Sequence, residues 1–110
     1  MNKNTAVLSL SALSQETRLD VFRLLVQAGP TGVPAGEISD KLGVVQNTMS
    51  AHLNILLQAG LIQREREGRI IRYSANYQAM RSLIEYLLKD CCAGDKVICQ
   101  PFLSKRARKC

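Results

Sequence analysis

No stretch of this 110-residue sequence reaches the roughly 18 consecutive apolar residues that a bilayer-spanning helix needs. No internal repeat or low-complexity segment is visible. Histidine is nearly missing, with His52 the sole example and far in sequence from every cysteine. No cysteine is followed by an anion-binding loop with a trailing arginine, so a thiol enzyme such as an arsenate reductase finds no support. The chain is short as well. It has the size of one domain, with little room for a deep substrate pocket, and burial at a dimer interface is expected to supplement its core.

What is present is ordinary apolar content, 46%, and a net charge of +6 that is unevenly placed. Residues 1–43 and 76–100 are each balanced. The excess falls in Arg64, Arg66, Arg69 and Arg72, set against Glu65 and Glu67, and in Lys105, Arg106, Arg108 and Lys109, where the last ten residues contain no acid. Clustered positive charge suits a polyanion, with nucleic acid ahead of an anionic membrane, although a basic tail can also simply solubilise. Lys3 and the run from Ala6 to Leu13 faintly resemble a secretory signal, but Ser9 and Ser11 interrupt the run and no convincing cleavage site follows. A cytoplasmic protein with reduced thiols is the expectation.

Periodicity predicts a short helix over Asn4–Leu13 and a second one capped by Ser14, with Leu19, Phe22, Leu25 and Val26 as its buried stripe. Gly29 and Pro30 end that helix. Pro34 suits the first turn of a third helix, in which Ile38 and Leu42 face inward. Gly43 breaks it, and Val45–Ala59 resumes helical spacing with Met49, Leu53, Leu56 and Leu57. Two short helices across a glycine-containing turn form a helix-turn-helix candidate. Leu61–Arg66 and Arg69–Ala75 read as strands joined at Glu67-Gly68, where glycine supplies the positive φ of a tight turn. Tyr77–Cys92 reads as a final long helix with Met80, Leu83, Ile84, Leu87 and Leu88 on one stripe. The predicted fold is mainly α with a small β-hairpin, a winged helix-turn-helix. Its domain spans residues 1–92, and residues 93–110 form a tail.

With Met49 and Leu53 turned to the core, Gln46, Asn47, Thr48, Ser50, Ala51 and Asn54 are left on the outer face of the fourth helix. Short amides and hydroxyls at the N-terminal end of a helix can reach base edges in the major groove. Arg64, Arg66, Arg69 and Arg72 flank the turn at Gly68 and suit phosphate contact or minor-groove insertion. Their alternative is pairing with Glu65 and Glu67, a weak surface interaction that leaves DNA contact open. His52 suits either a phosphate contact or packing at the helix junction. Candidate DNA-contacting residues are therefore Gln46, Asn47, Thr48, Ser50, His52, Asn54, Arg64, Arg66, Arg69 and Arg72.

Several segments resemble the ArsR/SmtB family of metal-responsive repressors, in that family's order: Leu13-Ser14-Gln15-Glu16-Thr17-Arg18-Leu19, Gly36-Glu37-Ile38-Ser39-Asp40-Lys41-Leu42-Gly43, Gln46-Asn47-Thr48-Met49-Ser50-Ala51-His52-Leu53, Ala59-Gly60-Leu61-Ile62 and Arg66-Glu67-Gly68-Arg69. The resemblance covers roughly residues 5–90. It implies a homodimer built on the first and last helices, bound to inverted-repeat operator DNA and released by an inducer. Two inherited sensor sites are missing. Val33-Pro34-Ala35-Gly36 stands where the family's best-known arsenic site has a Cys-Val-Cys pair, and the last helix lacks the histidines of its zinc site.

What remains is Cys91, Cys92 and Cys99, with Cys110 at the end. The six residues between Cys92 and Cys99 suffice to fold the chain back, and Lys89 and Lys96 favour thiolates. Three soft sulfurs without histidine or carboxylate suit a thiophilic centre. Trivalent arsenic or antimony accepts three sulfurs in a pyramid, and the pattern resembles an ArsR subgroup with a Cys-Cys pair and a third cysteine just beyond the last helix. Cys91, Cys92 and Cys99 are thus the candidate As(III) or Sb(III) ligands, with As(III) as inducer and no catalytic cofactor. A redox switch at Cys99 or a soft divalent metal stays open. Zinc on four cysteines would require Cys110 to return from the basic tail. A vicinal disulfide is disfavoured, since a trans peptide holds the α-carbons about 3.8 Å apart, below the usual range of about 4.4–6.8 Å.

Overall fold

The computed structural model describes residues 1–89, which form α1 (Lys3–Leu13), α2 (Glu16–Ala28), β1 (Val33–Pro34), α3 (Ala35–Leu42), α4 (Gln46–Gln58), β2 (Ile62–Glu67), β3 (Ile70–Ala75) and α5 (Tyr77–Leu88). Asn2 starts α1 by accepting the Thr5 N–H at 2.8 Å. Only Ala6, Ser9 and Ala12 are buried on α1, a narrow small-residue face, while Val7, Leu8 and Leu10 stay exposed.

Ser14 does not open the second helix. It closes the first, with its N–H and its hydroxyl both donating to the Ser11 carbonyl at 3.2 and 2.9 Å. Gln15 is the cap instead, its longer side chain accepting the Arg18 N–H at 2.8 Å. The buried face of α2 is Val21, Phe22 and Leu25, and Leu19 is 43% exposed. Two residues along a helix is more than half a turn, which carries Leu19 to the far side from Val21.

Pro34 is the N-cap of α3 rather than its first turn, and with Val33 it adds a third strand to the expected hairpin. The sheet order is β1-β3-β2, all antiparallel, with Val33 opposite Tyr73 and Pro34 opposite Arg72. Gly32 makes that approach feasible: it sits at φ +80°, and a β-carbon there would stand 2.7 Å from the Tyr73 carbonyl oxygen. The β2–β3 turn is Gly68-Arg69, one residue later than expected, because Glu67 still pairs with Ile70.

Gly43 ends α3 in the left-handed conformation, φ +67°, with its N–H on the Ser39 carbonyl, and this sets the turn into α4. At the base of the wing, Asn76 binds the Leu61 and Gly60 carbonyls and caps α5 by accepting from the Ala79 N–H at 3.1 Å. Leu25, Ile38, Leu56 and Leu61 are fully buried where α2, α3, α4 and the sheet meet. Each contributes about 1.5–3 kcal/mol by leaving water.

α5 stops at Leu88, and Lys89 leaves helical geometry at ψ 126°. This is shorter than the predicted span to Cys92. Leu87 in the final turn is 54% exposed, so that turn packs little against the described residues. Cys91, Cys92, Cys99 and Cys110 lie outside the described residues, as does the division after residue 92.

Candidate nucleic-acid interface

α3 and α4 pack through Ile38, Met49 and Leu53, which holds α4 with its other face outward. Gln46, Asn47, Thr48, Ser50 and Asn54 are all exposed on it. The Gln46 amide lies over α3, with Nε2 3.7 Å from where a β-carbon on Gly36 would stand. α4 carries no acidic or fully charged basic side chain, so this face is neutral and polar. Such a surface discriminates by hydrogen-bond pattern and shape rather than by charge.

His52 stands apart from the exposed set. It is half-buried, and its Nδ1 lies 3.3 Å from Arg18 Nη1. Arg18 also donates from Nε to the Ala12 carbonyl at 2.7 Å, so one guanidinium joins the end of α1 to the middle of α4. Of the two roles read from the sequence, packing at the helix junction is the one that this contact describes.

Charge enters from the wing, and strand register divides the arginines. Directly opposed residues share a face of an antiparallel pair. Arg64 faces Tyr73 and Arg66 faces Ile71, continuing the buried row of Ile62 and Ala75 beyond the core. Arg72 lies on the other face opposite Glu65, and its Nε donates to Glu67 Oε1 at 2.9 Å. Arg66 Nε donates to the Gly68 carbonyl at 3.0 Å, bracing the turn. Arg64 and Arg69 make no ion pair among the described residues, and Arg69 occupies the turn itself. The four arginines are thus unequal, a distinction that spacing without register could not reveal.

Two further features escaped the sequence reading. Arg18 is separated from His52 by 34 positions, and no local pattern joins them. Val45 falls inside the predicted fourth helix but is its N-cap, 69% exposed and without a capping bond. The lack of Ser, Thr, Asp or Asn at that position was the available signal. Among the described residues, no group of three or more His, Cys, Asp or Glu side chains could hold a metal ion. No helix there is long and apolar enough to cross a membrane.

A helix-turn-helix with a polar outward second helix, followed by a basic antiparallel wing, defines a winged-helix DNA-binding protein of the transcription-regulator class. Residues 13–65 match the helix-turn-helix domain family. The chain is 35% identical over 88 residues to the HTH-type transcriptional regulator YbzH of Bacillus subtilis, covering 69% of this chain and 88% of the relative. It is also 35% identical over 81 residues to the arsenical resistance operon repressor of Bacillus subtilis, covering 74% and 73%. Among solved structures, an ArsR-like transcriptional regulator from Rhodococcus superposes with a TM-score of 0.70 at 26% identity, covering 86% of this chain and 87% of that one. The homodimeric winged helix-turn-helix DNA-binding domain of a Mycobacterium bovis protein superposes at 0.65 with 26% identity, covering 79% and 81%. This chain belongs to the ArsR family of helix-turn-helix transcriptional regulators, which are DNA-binding proteins and not enzymes.

Proposed function

We propose that this regulator is a cytoplasmic homodimeric repressor that leaves its operator when As(III), or the chemically similar Sb(III), binds Cys91, Cys92 and Cys99. The observation that carries the inducer assignment is the donor set. Three thiols follow α5 within eleven residues of Leu88, and no other cysteine precedes them in the chain. Thiolate sulfur without imidazole or carboxylate matches a thiophilic trivalent centre better than a harder divalent ion. The resemblance to a repressor of an arsenical resistance operon agrees with it.

Dimerisation through α1 and α5 is supported by the apolar side chains those helices leave uncovered. Val7, Leu8 and Leu10 on α1 and Leu87 on α5 are exposed, and the two helices contact each other. The solved homodimeric relative agrees. Two α4 helices in such a dimer read half-sites about 34 Å apart, with Gln46, Asn47, Thr48, Ser50 and Asn54 toward base edges. Arg64, Arg66 and Arg69 supply backbone contacts. Coordination by three sulfurs constrains the chain immediately after α5, and α5 belongs to the subunit contact. Ligand binding and operator affinity are thereby coupled, typically by about 1–3 kcal/mol or a 5–150-fold change.

The test is a gel shift with reduced protein on duplex from its own upstream region. Arsenite is expected to release the DNA. Cys91→Ser, Cys92→Ser and Cys99→Ser should each bind DNA normally and ignore arsenite, whereas Cys110→Ser should respond like the parent. Undiminished operator affinity in saturating arsenite sinks the inducer assignment while leaving DNA binding intact.

A further inference from the structure

The helix N-termini are of two kinds. Asn2, Gln15 and Asn76 cap α1, α2 and α5 with side-chain bonds of 2.8, 2.8 and 3.1 Å. α3 and α4 instead begin at Pro34 and Val45, neither of which makes a side-chain capping bond. Pro34 pairs in the sheet opposite Arg72, whereas Val45 has no such role. Valine is among the weakest residues at this position, because it has no acceptor for the free N–H groups of the first turn. Val45 does not serve the core either. At 69% it is the most exposed large apolar side chain among the described residues. A branched apolar residue that neither caps nor packs is costly where it stands, at the mouth of the helix that faces DNA.

We infer that Val45 is a specificity-determining residue that reads thymine. Its two methyl groups meet the C5-methyl of a thymine in the major groove, beside the base edges that Gln46 and Asn47 address. Thymine alone among the four bases presents a methyl group there, so an apolar side chain distinguishes it by excluding water. The surrounding chemistry fits this occupant. Gln46, Asn47 and Thr48 follow directly and are exposed, and no charge on α4 holds a hydrated ion shell over the valine. Of the other exposed aliphatic side chains, Val7, Leu8, Leu10 and Leu87 belong to α1 and α5, while Ile55 near the far end of α4 and Ile70 in the wing are less exposed than Val45, at 40% and 48%. The inference rests on the assignment of α4 as the groove-reading helix.

The experiment compares the full-length reduced protein with Val45→Ser, a change that removes both methyls and adds a capping hydroxyl. Each protein selects duplexes from a randomised DNA library. The parent is expected to enrich a thymine in each half-site that Val45→Ser leaves unconstrained. Replacing that thymine by deoxyuridine deletes only the methyl group. The parent should then bind about fourfold more weakly per replacement, the worth of one buried methyl, and Val45→Ser should bind both duplexes equally. Thermal unfolding of Val45→Ser at or above the parent's midpoint shows that lost discrimination is not lost folding. Equal sensitivity of both proteins to deoxyuridine, or of neither, overturns the inference. So does a change of oligomeric state in Val45→Ser by sedimentation, which would make the valine a protein contact. A parent that enriches no duplex at all overturns the DNA reading of α4 itself, a result distinct from the others.

Discussion

At the scale of single residues, the Arg18 guanidinium does the most unexpected work. A guanidinium can only donate, so at 3.3 Å the Nδ1 of His52 accepts, and the neutral ring carries its proton on Nε2. Nitrogen chemical shifts of the neutral ring should report that tautomer, and Arg18→Ala should abolish the preference. The same substitution also frees the Ala12 carbonyl that Arg18 Nε now satisfies at 2.7 Å. Loss of these charge-assisted bonds should lower unfolding stability by about 1.5–3 kcal/mol in urea titration. An unchanged midpoint would show the strut to be incidental. Neither contact was legible from the sequence, where Arg18 belongs to a family-like motif early in α2 but has no local pattern joining it to His52.

At the scale of elements, the wing and β1 carry the sharpest expectations. Arg69 sits on the turn without an ion-pair partner among the described residues, whereas Arg72 lies on the face of the ribbon opposite Arg64 and Arg66, beside Glu65 and Glu67. Arg69→Ala should weaken binding to all DNA sequences alike and reduce the salt slope of log affinity by about one. Arg72→Ala should leave that slope nearly unchanged. Equal slopes for the two variants would contradict the division of the wing by strand register. β1 depends on Gly32, where a side chain meets the Tyr73 carbonyl and φ is +80°. Gly32→Ala should cost about 1–3 kcal/mol of stability, measured by thermal or urea unfolding. Helix positions were readable because their apolar spacing is local. β1 was not, because two residues have no period and Val33-Pro34 becomes a strand only when β3 lies beside it.

At the scale of the whole molecule, the proposed function divides the arrangement into a DNA-reading end and an assembly end. α4 and the wing carry polar and basic groups, while α1 and α5 keep Val7, Leu8, Leu10 and Leu87 in the open. Leu10→Glu should therefore yield a monomer by analytical ultracentrifugation. Its helix content should be retained, since Leu10 lies off the Ala6, Ser9 and Ala12 face. Operator affinity should fall more than tenfold, because a lone subunit addresses one half-site only. A Leu10→Glu protein that stays dimeric would place the subunit contact elsewhere.

Taken alone, the order of residues settled the succession of helices, the glycine breaks at Gly43 and Gly68 and the polar face of α4, because each depends on neighbours a few positions apart. Three-dimensional packing decided the rest: which of Ser14 and Gln15 caps α2, that Leu19 turns outward, that β1 joins the sheet, that Arg72 answers to Glu67, and that Arg18 reaches His52. Those features are contacts between segments distant along the chain or choices between adjacent candidates. Their free energy exists only once the partner surface is in place.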